Sequence, residues 1–72
     1  MEEEIIIDPK ICHGKPTIKG TRIMVANILS LVAGGYNVEQ ILKYYPQLKL
    51  EDVKAAIKFA IESVQEEIVP LG

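Results

Sequence analysis

The chain of 72 residues has almost none of the chemistry that usually staples or arms a small domain. Cys12 is its one cysteine and His13 its one histidine. A single cysteine excludes an internal disulfide, and one Cys with one His is too few for a zinc site. The N-terminus, Met1-Glu2-Glu3-Glu4, lacks the positive charge of a secretory signal. No apolar run is long enough for a bilayer. The longest uncharged stretch, residues 23–38, is broken by Asn27, Ser30, Gly34, Gly35 and Asn37. Internal repeats and low-complexity tracts are absent. The expectation is a cytoplasmic protein, with its thiol reduced and no membrane contact.

What is abundant is apolar surface. A chain this short is expected to be one domain, 1–72, and a domain of this size buries only about 60% of its unfolded surface. Yet 49% of the residues are hydrophobic. Some of that surface is expected to face another chain, in a homodimer or larger complex. Charge is unevenly spread. Glu2, Glu3, Glu4 and Asp8 open the chain. Residues 9–38 then carry Lys10, Lys15, Lys19 and Arg22 with no acid, and an acidic balance returns after residue 38. The basic stretch is the part suited to an anion, with a solvated loop as the alternative.

The periodicity changes along the chain. Ile5-Ile6-Ile7, stopped by Asp8-Pro9, reads as a short strand. Pro16-Thr17-Ile18 and Thr21-Arg22-Ile23 flank Lys19-Gly20, which predicts a tight hairpin with a two-residue loop. Strands this short need something to pack on. From residue 25 the spacing turns helical. Val25, Ile28, Leu29 and Val32 share one face, and Gly34-Gly35 end it. Asn37 with Gln40 forms a capping-box pattern for a second helix bearing Val38, Ile41, Leu42 and Tyr45 and ended by Pro46. A third helix starts near Glu51, with Val53, Ala56, Ile57, Ala60, Ile61, Val64 and Ile68 as its stripe, widened by Ala55 and Phe59. Glu51 and Asp52 complement its dipole. A face so wide suits two contacts at once, the core and a second chain. Residues 1–24 thus hold short strands and a basic hairpin, and residues 25–72 a mainly α, three-helix core. The stretch from Leu29 to Ala60 has helix-turn-helix spacing.

Catalysis finds little support. Cys12 and His13 are neighbours, and on an extended segment neighbours point to opposite faces, so they cannot readily share a proton. Cys12 reads better as a small apolar residue. Gly14-Lys15 fails as a phosphate-binding loop, because Pro9 stands in place of the first glycine and Pro16 in place of the hydroxyl residue. Glu51-Asp52 and Glu66-Glu67 are adjacent pairs of the kind that cover solvated helix faces. The chain is therefore expected to be a binding module, without catalysis, cofactor or metal. Nucleic acid is one candidate ligand. A reading third helix would present Glu51, Asp52, Lys54, Ala55 and Lys58. Its two leading carboxylates oppose phosphate, and neither arginine nor asparagine is there to read bases. The basic stretch is better suited to backbone contact, and use of the core for packing and protein contact alone remains open.

The run Gly14-Lys15-Pro16-Thr17-Ile18-Lys19-Gly20-Thr21-Arg22-Ile23 is distinctive. Together with Asp8-Pro9, Gly35, Ile41-Leu42, Tyr45-Pro46, Leu48, Glu51-Asp52-Val53, Ala56 and Ala60, it resembles the prokaryotic domain-of-unknown-function 433 family. Members are often described as antitoxins. The resemblance, over about residues 5–61, implies a homeodomain-like helix-turn-helix and a gene neighbourhood with a nuclease-like toxin. It implies a protein that binds its cognate toxin and, as an alternative or in addition, DNA such as its own operator. Two positions depart from the family pattern. Met24 replaces a proline, and Lys49 replaces a threonine that would cap the third helix, a loss of about 1 kcal/mol. Lys49 there also offers a phosphate contact. Gly14 and Gly20 allow turns, Pro16 stiffens the approach, and Thr21 completes the motif. Arg22 offers a planar fork either to an anion or, structurally, to an acid such as Asp8 or a helix C-terminus. Lys15, Lys19 and Arg22, with Lys49 and Lys54, are the expected anion or nucleic-acid contacts.

Overall fold

The structure, a computed structural model, describes residues 3–67; Ile68, the end of the expected third-helix stripe, lies outside them. Ile5 and Ile6 form β1 (Ile5–Ile6), which pairs antiparallel with β2 (Thr17–Ile18), Ile5 opposite Ile18 and Ile6 opposite Thr17. The Lys19 N–H adds a bond to the Glu4 carbonyl at 2.7 Å. Two residues per strand cannot hold a ribbon by themselves. The ribbon persists because Ile5, Thr17 and Ile18 are buried under the helices. Thr17 meets the demand of a buried hydroxyl locally, donating to the Lys15 carbonyl at 2.8 Å.

The link between the strands departs from the extended chain expected around Cys12-His13. Cys12, His13 and Gly14 all lie at positive φ, 50°, 56° and 79°, in a single left-handed turn. Hydrogen bonds from Gly14 N–H to the Ile11 carbonyl and from Lys15 N–H to the Cys12 carbonyl close it, each at 3.1 Å. Asp8 starts the reversal: its side chain accepts the Lys10 N–H at 2.9 Å and its carbonyl the Ile11 N–H at 2.8 Å. Chain reversal within ten residues, 7–16, forces the backbone into a region that L residues adopt at about 1–2 kcal/mol each. The Cys12 thiol donates to the Arg22 carbonyl at 3.6 Å, tying this turn to the next one.

The predicted hairpin is present as a turn but not in the expected register. Thr21 N–H bonds the Ile18 carbonyl at 3.0 Å, with Gly20 at φ +81°. The next cross-strand bond runs from Ile18 N–H to the Ile23 carbonyl at 2.9 Å, so the loop is longer than two residues. The Thr21 hydroxyl causes this. It donates to the Ile18 carbonyl at 2.9 Å and accepts the Ile23 N–H at 3.0 Å, holding Thr21 and Arg22 out of the ladder. Beyond the turn a bridge pairs Thr17 with Met24, and Val25 N–H bonds the Pro16 carbonyl at 2.9 Å, which fixes the start of the first helix.

Three helices follow: α1 (Val25–Ala33), α2 (Val38–Tyr44) and α3 (Leu50–Glu67). Helix α1 ends in a Schellman motif. Gly35, at φ +91°, donates to the Val32 carbonyl, and Tyr36 donates to the Leu31 carbonyl, both at 3.0 Å. Helix α2 carries the capping box read from the sequence, with Asn37 and Gln40 each bonding the other's backbone N–H, at 2.9 and 2.8 Å. Helix α3 does not lack a cap, although Lys49 stands where a threonine was expected. Asp52 Oδ2 accepts the Lys49 N–H at 2.9 Å, the reciprocal half of a capping box.

The core lies where β1, β2, α1 and α2 meet the first half of α3. Ile18, Ile28, Ile41 and Val53 are fully buried there, with Ala56 beside them. Ala55, expected among the outward residues of α3, is 2% exposed and belongs to this core. Val32, grouped by spacing with Val25 and Ile28, is exposed. At about 1.5 Å per residue, the 18 residues of α3 run about 27 Å. Its distal residues Ile61 and Val64 are 52% and 57% exposed.

Candidate functional site

The basic residues expected at an anion site do not share one depression. Lys15 lines an apolar groove with Met24 and Phe59. Arg22 lines a separate, more polar depression with Ile11, Gly20, Thr21 and Gln47. Lys19 stands in the Ile18–Thr21 turn, and Lys49 and Lys54 flank the start of α3; all five cations are exposed. Among the described residues, none of their side chains makes an ion pair or hydrogen bond. Arg22 thus ties to neither Asp8 nor a helix C-terminus. Gln47, in the α2–α3 turn, is the residue that sequence spacing does not connect with Arg22. The chain brings it there by placing the Gly20 turn beside the entry to α3. Among these same residues no group of three His, Cys, Asp or Glu is placed to hold a metal ion, and no helix is long and apolar enough to cross a membrane.

A second surface is aromatic. All three tyrosines of the chain meet at the ends of α2. Tyr36 and Tyr44 pack edge to face with ring centroids 6.3 Å apart, and Tyr44 and Tyr45 do so at 4.8 Å. Such pairs contribute about 0.5–1.5 kcal/mol beyond area burial, which favours this arrangement of the rings. Tyr36 is 41% exposed and Tyr44 58%, so the cluster faces outward. The sequence assigns Tyr45 to the α2 face. It does not reveal that Tyr36 reaches back to Tyr44, because that approach depends on the Schellman turn at Gly35.

The third surface is the groove itself, about 330 Å³, between the N-terminal half of α1 and the distal half of α3. Leu29 and Phe59 lie along it, Met24, Ala60 and Val64 extend it, and Lys15 and Ser63 supply its few polar atoms. Met24, where the family pattern has proline, contributes its long side chain to this wall.

The comparisons with known proteins agree with one another. The family described as "Protein of unknown function (DUF433)" matches residues 5–60. An uncharacterized protein of Sinorhizobium fredii, y4eO, is 34% identical over 58 residues, covering 81% of this chain. The chain spans 26% of that relative's length. A crystal structure of a DUF433 member from Anabaena variabilis superposes with a TM-score of 0.82 at 29% identity, covering 90% of this chain and 64% of the other. The family match covers most of the chain, which belongs to the DUF433 family.

Proposed function

We propose that this chain acts by binding, without catalysis, as the antitoxin half of a toxin–antitoxin pair whose partner is a cognate toxin protein. The observation that carries the reading is the tyrosine cluster, in which Tyr44 packs edge to face on both Tyr36 and Tyr45 while Tyr36 and Tyr44 stay exposed. Tyrosine is enriched among the residues that dominate protein interfaces, and a pre-packed ring has little conformational entropy left to lose. The thiol of Cys12, bonded to a carbonyl, favours a structural use of the left-handed turn over a nucleophilic one. The working unit in this reading is a cytoplasmic homodimer, in keeping with the high apolar content and the single unpaired cysteine.

The test is co-expression with the product of the adjacent gene. The wild-type chain co-purifies with it and suppresses its toxicity. Tyr44→Ala weakens the complex by about 2 kcal/mol, roughly thirtyfold in Kd. A harmless neighbour that fails to co-purify overturns the proposal.

One observation favours a second activity, contact with DNA. The Arg22 and Gln47 depression adjoins the turn that leads into α3, so Arg22, Lys49 and Lys54 lie toward the start of that helix, whereas Lys15 lines the groove at its distal half. Helices α2 and α3 with their short turn fit a helix-turn-helix, homeodomain-like use. In this reading the basic residues hold the phosphate backbone, while Glu51 and Asp52 disfavour base reading by α3.

A further inference from the structure

We infer that the groove between α1 and the distal half of α3 is the seat of a second copy of this chain, joined about a twofold axis so that each α3 ridge lies in the other's groove. This deepens the homodimer of the proposed function by naming its surface.

The same helix supplies both halves of the contact. Phe59, Ala60 and Ser63 face the groove, while Ile61 stands out beside it and Val64 belongs to both. A surface that carries an apolar hollow and an adjoining apolar ridge is complementary to itself, which is what an isologous contact requires. The ridge is well exposed and continues the stripe that the core uses nearer the start of α3, so the helix covers its own domain first and is then left without cover.

Charge specifies the same partner. One wall of the groove belongs to the segment 9–38, and Lys15 is the cation that stands on it; the other wall is the distal half of α3. Beside the Ile61 and Val64 ridge, Glu62 is exposed and is the acid that a seated α3 would carry toward Lys15. Seating one copy's distal α3 over the other's Lys15 and Pro16 brings opposite charges together, twice, by symmetry. A toxin surface would have to supply the same ridge and acid pattern independently, whereas a second copy has them already. A standard interface takes about 800 Å² from each partner, against 5313 Å² of surface on this chain.

Sedimentation equilibrium on the full chain, at about 100 µM and at tenfold dilutions, tests the inference. The wild type is expected near twice the 8.0 kDa chain mass. Val64→Asp is expected near 8.0 kDa, with an unchanged far-UV circular dichroism spectrum because Val64 lies outside the core. Lys15→Glu is expected to weaken the dimer at least tenfold, and adding Glu62→Lys to recover most of that loss. A wild-type chain that is monomeric throughout, or a Val64→Asp chain that dimerises like wild type, overturns the inference. A monomeric wild type whose Val64→Asp variant loses the cognate toxin also overturns it, by assigning the groove to that protein. If the wild type is monomeric and still binds toxin through Tyr44, the interface fails and the partner reading stands. A dimer indifferent to the toxin gives the reverse.

Discussion

Asp52 and Lys49 are joined across the first turn of α3, the Asp52 carboxylate accepting the Lys49 backbone N–H at 2.9 Å. The acid that opposes phosphate at the head of α3 is therefore part of what starts the helix. Its position also complements the helix dipole. Asp52→Ala is expected to lower stability by about 1 kcal/mol in urea unfolding, and Lys49→Thr to raise it by about 0.5–1 kcal/mol by completing the box. Equal midpoints for wild type and Asp52→Ala would show that this bond does not stabilise the fold.

Two turns at positive φ make opposite predictions. A Cβ at Gly20 would meet nothing within 4 Å, so Gly20→Ala tests backbone conformation alone. It is expected to lose about 1–2 kcal/mol. His13, already at φ 56°, has the reverse expectation: His13→Gly keeps or gains stability, up to about 1 kcal/mol. Denaturation midpoints for both variants, measured side by side, check the sign.

Helix α1 separates residues that spacing alone groups together. Ile28 is fully buried and Val32 is not. Ile28→Ala is expected to lose about 2–5 kcal/mol, and Val32→Ala less than about 0.5 kcal/mol. Comparable losses at the two positions would contradict the packing described.

That contrast marks how far the sequence is legible. The Asn37–Gln40 box, the glycine stop after α1 and the core residues Ile41 and Val53 depend on contacts within a few residues or on helical period, and all are readable. The hairpin register is not, because Thr21's hydroxyl competes with the ladder. Neither is the left-handed turn at Cys12 and His13, which follows from β1 having to pair with β2. The grouping of Val32 with the buried face and the outward placement of Ala55 fail for a related reason, although Ala55 does widen the apolar stripe: period assigns a face, but neighbouring elements decide where that face is covered. At the candidate surfaces, the exposure of the basic residues was readable from composition. The approach of Tyr36 to Tyr44, and the shared depression of Arg22 and Gln47, are set by tertiary geometry that no local spacing encodes.

Contact with DNA has an ionic-strength signature. If the basic residues hold phosphates, affinity for promoter DNA falls steeply with salt, and replacing Lys15, Lys19 and Arg22 by alanine reduces the slope of log K against log salt by about 2–3. Each depression can be tested separately. Arg22→Ala acts on the Gln47 side and Lys15→Ala on the groove side. A slope unchanged in the triple variant would exclude these side chains as phosphate contacts.

The most direct test of the account is the affinity of the adjacent gene's product for this chain, measured by titration calorimetry with wild type, Tyr36→Ala and Tyr44→Ala, each checked for an unchanged circular dichroism spectrum. Wild type is expected to bind stoichiometrically, and the tyrosine variants to lose roughly tenfold to thirtyfold while remaining folded. No heat of binding with wild type, or equal affinity for all three proteins, would contradict the claim that the tyrosine cluster is where a protein partner docks.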